Sequence, residues 1–137
     1  MIGAIPKYVL DCFALYAFFQ TQTGGEKVKG LLDEARDQKA LLFISSLNLA
    51  ELYYIAHKKL GGVIAKSMLD DATKLPIHVE SISDDQLFEA AEIKAHFNIS
   101  FADSFAANLA KKLDATLVTG DPEFKALEGT ITIYWLV

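Results

Sequence analysis

Short apolar runs alternate with longer stretches of helical periodicity from one end of the chain to the other. Tyr8–Leu10 is apolar without a break and predicts a buried strand. Phe13–Gln20 follows at once, with Phe13, Tyr16, Ala17 and Phe19 at helical spacing. Thr21–Gly25 reads as a loop. Glu26–Lys39 reads as a helix, with Val28, Leu31, Leu32 and Ala35 on one face. Ala40–Ile44 is a second continuous apolar run, which suits a strand buried on both faces. Asn48–Leu60 is then a helix closed by Gly61-Gly62, and Val63–Lys74 another that stops before Pro76. Ile77–Val79 predicts a short strand. Ser83–Phe97 is a helix opened by the capping signal Ser83-x-x-Gln86. After a turn at Asn98–Ser100 comes a strongly apolar helix, Phe101–Leu113. Ala115–Val118 is a strand, Gly120-Asp121-Pro122 turns into a single helical turn, and Thr130–Tyr134 is a last strand.

Strands that alternate with helices predict an α/β fold with a central parallel sheet of four to five strands. The long helical stretch at 46–76 is expected to rise above that sheet as a small subregion. The 137 residues read as one domain, with no repeat, linker or low-complexity segment. Apolar residues make up 52% and charged ones 23%, a globular balance. The net charge of −5 argues against a broad basic nucleic-acid surface, though not against a basic rim around an acidic site. Cys12 is the only cysteine, so no internal disulfide forms, and a reducing compartment is expected. No signal peptide and no membrane-length apolar run is visible, which makes the cytoplasm the default location and excludes a membrane partner.

The chemistry lies in four acids. Asp11 ends the first strand, where a carboxylate is costly unless it is solvated, caps a helix or binds a cation. Glu51 is expected in the first turn of the helix after strand two, and Asp103 in the first turn of its own helix. Asp121 sits just past Leu117-Val118. In a parallel α/β sheet, strand C-termini and the N-termini of the following helices share one edge, so all four acids should meet there. Each also has a local reading. Asn48-x-x-Glu51 and Ser100-x-x-Asp103 fit capping boxes, Asp121 before Pro122 fits an N-cap, and Asp11 can cap the helix after it. Clustered carboxylates raise one another's pKa, and a divalent cation removes that penalty. Oxygen donors with no His or Cys at ligand spacing favour Mg²⁺ or Mn²⁺. Ala102, Ala106, Ala107 and Ala110 keep one face of the Asp103 helix small, so it can approach the sheet closely.

These residues resemble the PIN domains, and within them the VapC-like ribonuclease toxins of toxin–antitoxin pairs. The matching motifs are Val9-Leu10-Asp11 with Ala14-Leu15, Ser45 to Glu51-Leu52, Phe101 to Ala107, and Leu117-Val118-Thr119-Gly120-Asp121-Pro122-Glu123-Phe124. They stand in the family's order and span nearly the whole chain. The resemblance implies a three-layer domain, Mg²⁺- or Mn²⁺-dependent cleavage of RNA leaving a 5′-phosphate, homodimers, and a small antitoxin partner. On that reading Asp11, Glu51 and Asp103 hold one or two metal ions. Asp121 is a direct or water-mediated ligand, and Thr119 orients Asp121 or a metal-bound water. Thr119 also fits an ordinary strand-end threonine. The family usually carries a hydroxyl one or two places after the first Asp, where this chain has Cys12 and Phe13; that change puts support for the metal ligand in doubt.

Two rivals remain at this level. One is a catalytically inactive PIN-like module that binds protein or RNA. The other is a phosphoryl-transfer domain, disfavoured because Phe13 stands where a haloacid-dehalogenase-type phosphatase needs a second acid. Strand two also ends in Ser45-Ser46 rather than a receiver domain's phosphoacceptor Asp. Lys58, Lys59, Lys111, Lys112 and Lys125 either touch phosphates or are solvated helix charges. His57, His78 and His96 are scattered. Tyr53, Tyr54 and Phe97 pack the core, stack on bases or join a dimer. The surface around Leu52, Tyr53 and Leu60 is either a dimer face or core.

Overall fold

A computed structural model describes residues 3–137. Five strands, β1 (Lys7–Leu10), β2 (Leu41–Ser45), β3 (His78–Glu80), β4 (Thr116–Thr119) and β5 (Ile133–Trp135), form one sheet in the order β3-β2-β1-β4-β5. Every neighbouring pair is parallel. Six α-helices lie on its two faces: α1 (Cys12–Phe19), α2 (Gly25–Arg36), α3 (Ser46–Leu60), α4 (Gly62–Thr73), α5 (Asp84–His96) and α6 (Phe101–Leu113). A 3-10 segment, Pro122–Leu127, joins β4 to β5.

The continuous apolar runs follow from this three-layer plan. Successive strand residues point to opposite faces, so a strand covered on both sides must be apolar throughout. Leu10, Leu42, Ile44 and Val118 enter one core with α1, α2, α3 and α4. Val9 and Leu117 enter the other, with Ala106, Ala107, Leu109 and Ala110 of α6 and with Phe124. The alanine face of α6 is thus the packing face, as its small side chains predict.

The α3–α4 hairpin extends outward as expected, α4 packing chiefly on α3, but it is not a separate unit. Its buried residues Leu49, Leu52, Ala56, Ala65, Met68 and Ala72 are continuous with the core of α1 and α2. Leu52 is therefore core, and Tyr53 and Leu60 are half-buried against it. The apolar side chains this hairpin exposes are Tyr54, Val63 and Ile64.

Caps set the helix boundaries. Ser83 and Gln86 form the reciprocal capping box expected for α5. The start of α3 differs from expectation. Ser45 is its N-cap, accepting from Leu47 N at 3.2 Å. The helix therefore begins at Ser46, and Asn48-x-x-Glu51 is not a capping box. α2 stops at Arg36 rather than Lys39, and Gln38 after it has a φ of 60°.

Between α1 and α2 the chain turns at Gly24, with φ +92°, where a side chain would stand 2.7 Å from Leu136 Cβ. Strain and overlap act together there, so Gly24→Ala is expected to cost about 2 kcal/mol. Chemical denaturation should show the midpoint falling with little change in slope.

Candidate active site

The strand order reverses at β1. From there the chain builds outward to β2 and β3, then returns to add β4 and β5 on the other side. Open α/β sheets place ligands at such a switch point, beyond the strand C-termini. Leu10 pairs with Val118, so the next residues, Asp11 and Thr119, emerge side by side at that crevice.

Asp11 is 2% exposed and does two things. Its Oδ1 accepts from Ala14 N at 2.9 Å and caps α1, while its Oδ2 accepts a short hydrogen bond from the Thr119 hydroxyl. That hydroxyl in turn accepts from Asp121 N at 3.0 Å. Thr119 is fully buried and so locks Asp11 to the loop that carries Asp121. It orients the Asp11 carboxylate and the Asp121 backbone rather than the Asp121 side chain. Replacing Thr119 by Val removes both bonds and leaves Asp11 Oδ2 without its donor. On the reading of Asp11 as a cation ligand, the affinity for Mn²⁺, read by calorimetry, is expected to fall roughly 10- to 100-fold.

Asp121 is also both cap and cleft residue. Its Oδ1 accepts from Glu123 N at 3.0 Å, with Pro122 at the first position of the 3-10 segment. Asp103 is 5% exposed in the first turn of α6. The α6 cap is Ser100, whose hydroxyl accepts from Asp103 N at 3.1 Å. In a full capping box the Asp103 carboxylate would return to Ser100 N. Here Glu123 takes that bond from another element, its Oε1 accepting from Ser100 N at 2.7 Å. The Asp103 carboxylate is left free, and its buried Oδ2 has no hydrogen-bond partner.

Glu51 lies in the second turn of α3, not the first, because the helix starts at Ser46. It still reaches the site. Asn48, fully buried one turn earlier, donates to Glu51 Oε1 at 3.2 Å and to the Ala102 carbonyl at 3.1 Å, tying α3 to the start of α6.

Asp11, Glu51, Asp103 and Asp121 thus line one cleft of about 290 Å³, together with Cys12, Phe13, Tyr16, Gln22, Ile55 and Lys59. Carboxylate oxygens of Asp103, Asp121 and Glu123 approach within 4.8 Å of one another. Glu123 stood in the matching motif Leu117 to Phe124 without a role, and Asn48 was read only as a cap. The one available signal was the Asp121-x-Glu123 spacing. None of the three histidines lines the cleft. His78 packs on Phe43, and His57 on Tyr53.

The electrostatics follow from burial without compensation. Burial raises the Asp11 pKa to about 7; Asp121 and Glu51 push it up too, against the bonds from Thr119 and Ala14. Burial, then Asp121, Asp11 and Glu123, raise Asp103 to about 8. Glu51 is raised by burial and by Asp121 and Glu123, with Asn48 opposing. The Cys12 thiol is pushed up by burial and then by Glu51, Asp11 and Asp103, so it offers no thiolate. The donor set is therefore all oxygen. Together with the orphaned Asp103 Oδ2 and the crowded carboxylates, it fits a hard divalent cation.

A family model described as the PIN domain matches residues 8–129. The chain belongs to the PIN domain family. Similar solved structures come from toxin–antitoxin systems. VapBC2 of Rickettsia felis, bound to a DNA fragment from its promoter, is 24% identical over 93% of this chain and 97% of that one, with a TM-score of 0.71. The DNA-bound VapBC of Salmonella typhimurium is 19% identical over 96% and 99%, also at 0.71. Mycobacterium tuberculosis VapC20, a toxin that cleaves the sarcin-ricin loop, is 17% identical over 87% and 93%, at 0.68. At these identities the likeness is one of fold. A comparison with curated protein sequences finds no match. No helix among the described residues is long and apolar enough to cross a membrane.

Proposed function

We propose that this PIN domain is a metal-dependent ribonuclease that hydrolyses RNA phosphodiester bonds, acting as the toxin of a toxin–antitoxin pair. The observation that carries the reading is the convergence of Asp11, Glu51, Asp103 and Asp121 on one cleft, with Asp103 left unpartnered in it. Asp103, Asp121 and Asp11 would hold Mg²⁺ or Mn²⁺, with Glu51 and Glu123 as direct or water-mediated partners. When bound, the cation lowers the pKa of a coordinated water and neutralises charge on the phosphate.

The chain's own residues set the rest. Asp11 is held at both oxygens, so its ligand geometry is fixed before substrate arrives. Asn48 holds Glu51 at the cleft. Asp11 and Asp103 would be kept ionised by a bound cation against the burial that raises them. A protein nucleophile is not required, and the protonated Cys12 does not supply one.

An antitoxin and a homodimer belong to this reading. The structures named above as toxin–antitoxin complexes support the first, and the exposed Tyr54, Val63 and Ile64 offer apolar surface for contacts between chains. The test is incubation of the purified chain with a labelled single-stranded RNA across a Mg²⁺ and Mn²⁺ series. Cuts leaving 5′-phosphates, suppressed by EDTA, are expected. Intact RNA under every metal condition would favour the inactive binding module instead.

A further inference from the structure

The cleft has a second wall that the acids do not explain. Phe13 and Tyr16 face it from α1, and Ile55 and Lys59 from α3. Lys59 is the one basic side chain lining it. An exposed ammonium beside several carboxylates would ordinarily fold onto one of them. Lys59 takes part in none of the ion pairs among the described residues. Its Nζ instead stands 5.3 Å from the centroid of the Tyr16 ring, an aromatic face that holds a cation in place. Glu51, Ile55 and Lys59 recur every fourth residue along one face of α3. Eight residues of helix set Lys59 about 12 Å along the axis from Glu51, two turns away on the same lining face.

Phe13 completes the wall. It is 36% exposed, and its ring lies against the backbone at Gly120, where a Cβ would come within 2.3 Å of Cε1. Only glycine lets the ring rest there. The ring is thereby fixed beside the loop carrying Asp121, with part of its surface open to solvent. A core phenylalanine would be covered, and a residue serving the acids would be polar.

We propose that Phe13, Tyr16 and Lys59 form a nucleotide-binding wall, on which the Lys59 ammonium takes a phosphodiester next to the scissile one and the exposed Phe13 ring stacks on the adjoining base. The inference rests on the ribonuclease reading and adds where the strand lies. A point charge above an aromatic ring gives contacts that tolerate many sequences, because every nucleotide offers a phosphate and a π-face.

Binding and cleavage test it separately. Anisotropy with a labelled single-stranded RNA oligonucleotide, in Mg²⁺ and in an Asp11→Asn background that leaves the probe uncut, reads affinity. Steady-state cleavage by the otherwise native chain reads KM and kcat. Lys59→Ala should weaken binding and raise KM about tenfold, with kcat within about twofold, and flatten the salt dependence by about 0.7 in slope, one phosphate contact on a single strand. Lys59→Arg should restore most of this. Phe13→Leu should weaken binding about tenfold with the salt slope unchanged, and Phe13→Trp should retain it. Lys111→Ala and Phe88→Ala, on the α5–α6 surface, should behave as the native chain. Thermal melts accompany each variant; should Phe13→Leu unfold, the Lys59 pair and Phe13→Trp carry the test.

If the native chain cuts RNA but the Lys59→Ala and Phe13→Leu variants bind and turn over normally, the wall is wrong and the ribonuclease stands. A Lys59→Ala variant that changes the Mg²⁺ requirement and leaves KM alone would make Lys59 a partner of the acids, which also overturns the wall. If the native chain neither binds nor cuts RNA, both readings fall.

Discussion

Asp11→Asn is expected to abolish RNA cleavage while making the metal-free protein more stable. A loss of roughly a thousandfold or more corresponds to removing several kcal/mol of metal-borne transition-state stabilisation, at ~1.4 kcal/mol per tenfold. The stability gain comes from the same residue. Asp11 is 2% exposed and faces Asp121 and Glu51, so its charge is uncompensated when no cation is bound. Asparagine keeps the oxygen that caps α1 from Ala14 N and is itself a favoured N-cap residue. Its amide group faces the Thr119 hydroxyl, which can accept as well as donate. The melting temperature at pH 8 without metal should rise by about 5 °C, since 1 kcal/mol moves a domain of this size by a few degrees. Loss of cleavage with a lowered melting temperature would instead mean that Asp11 is chiefly structural. Retained cleavage would remove it from the metal site.

The second large effect is linkage between pH, metal and stability. Asp11 and Asp103 are raised from 3.8 to about 7 and about 8 in the folded chain. Between pH 4 and 8 the unfolded chain therefore gives up protons that the folded chain keeps. Stability from these two groups is fully present below their unfolded pKa, falls as pH rises through the folded values, and is flat above them. On the proposed reading Mg²⁺ binds only the ionised acids, so it should oppose this fall. At pH 5.5 saturating Mg²⁺ should barely move the melting temperature. At pH 8 it should raise it by about 5 °C or more, since a ligand that binds only the folded state stabilises it by mass action. Differential scanning fluorimetry over a pH and metal grid reads both arms. A Mg²⁺ effect that is equal at the two pH values, or larger at 5.5, would detach the raised acids from any cation site.

Capping and clustering prove not to be alternatives. Asp11 and Asp121 cap helical segments with one oxygen each and face the cleft as well. Polar groups at a helix start on the carboxyl edge of a parallel sheet serve both ends, because the edge is where helix N-termini gather. Local sequence logic therefore picked residues that line the cleft, for a reason that did not separate the two roles. It failed where several cap residues compete. Ser45, Ser46 and Asn48 all suit the start of α3, and the choice of Ser45 moved Glu51 into the second turn. Glu51 stayed in the site because Asn48 anchors it to Ala102 of α6, a contact across 54 positions that no local pattern encodes. Glu123 stood in the matching motif without a role for the same kind of reason. It occupies Ser100 N, and only the tertiary meeting of the 3-10 segment with α6 makes that possible.

The order of elements, the parallel sheet and the family were all present in the one-dimensional pattern. Strands buried on both faces must be apolar throughout, helices buried on one face must be periodic, and these demands act residue by residue along the chain. So does the expectation that acids at strand ends share an edge. What only the folded molecule decided is which oxygen each acid keeps free. Thr119 occupies Asp11, Glu123 relieves Asp103 of its capping bond, and Asp103 Oδ2 is left buried and alone. Those outcomes depend on distances between segments brought together by the sheet, and hydrogen bonds are settled at a few tenths of an ångström, a scale that sequence spacing does not carry.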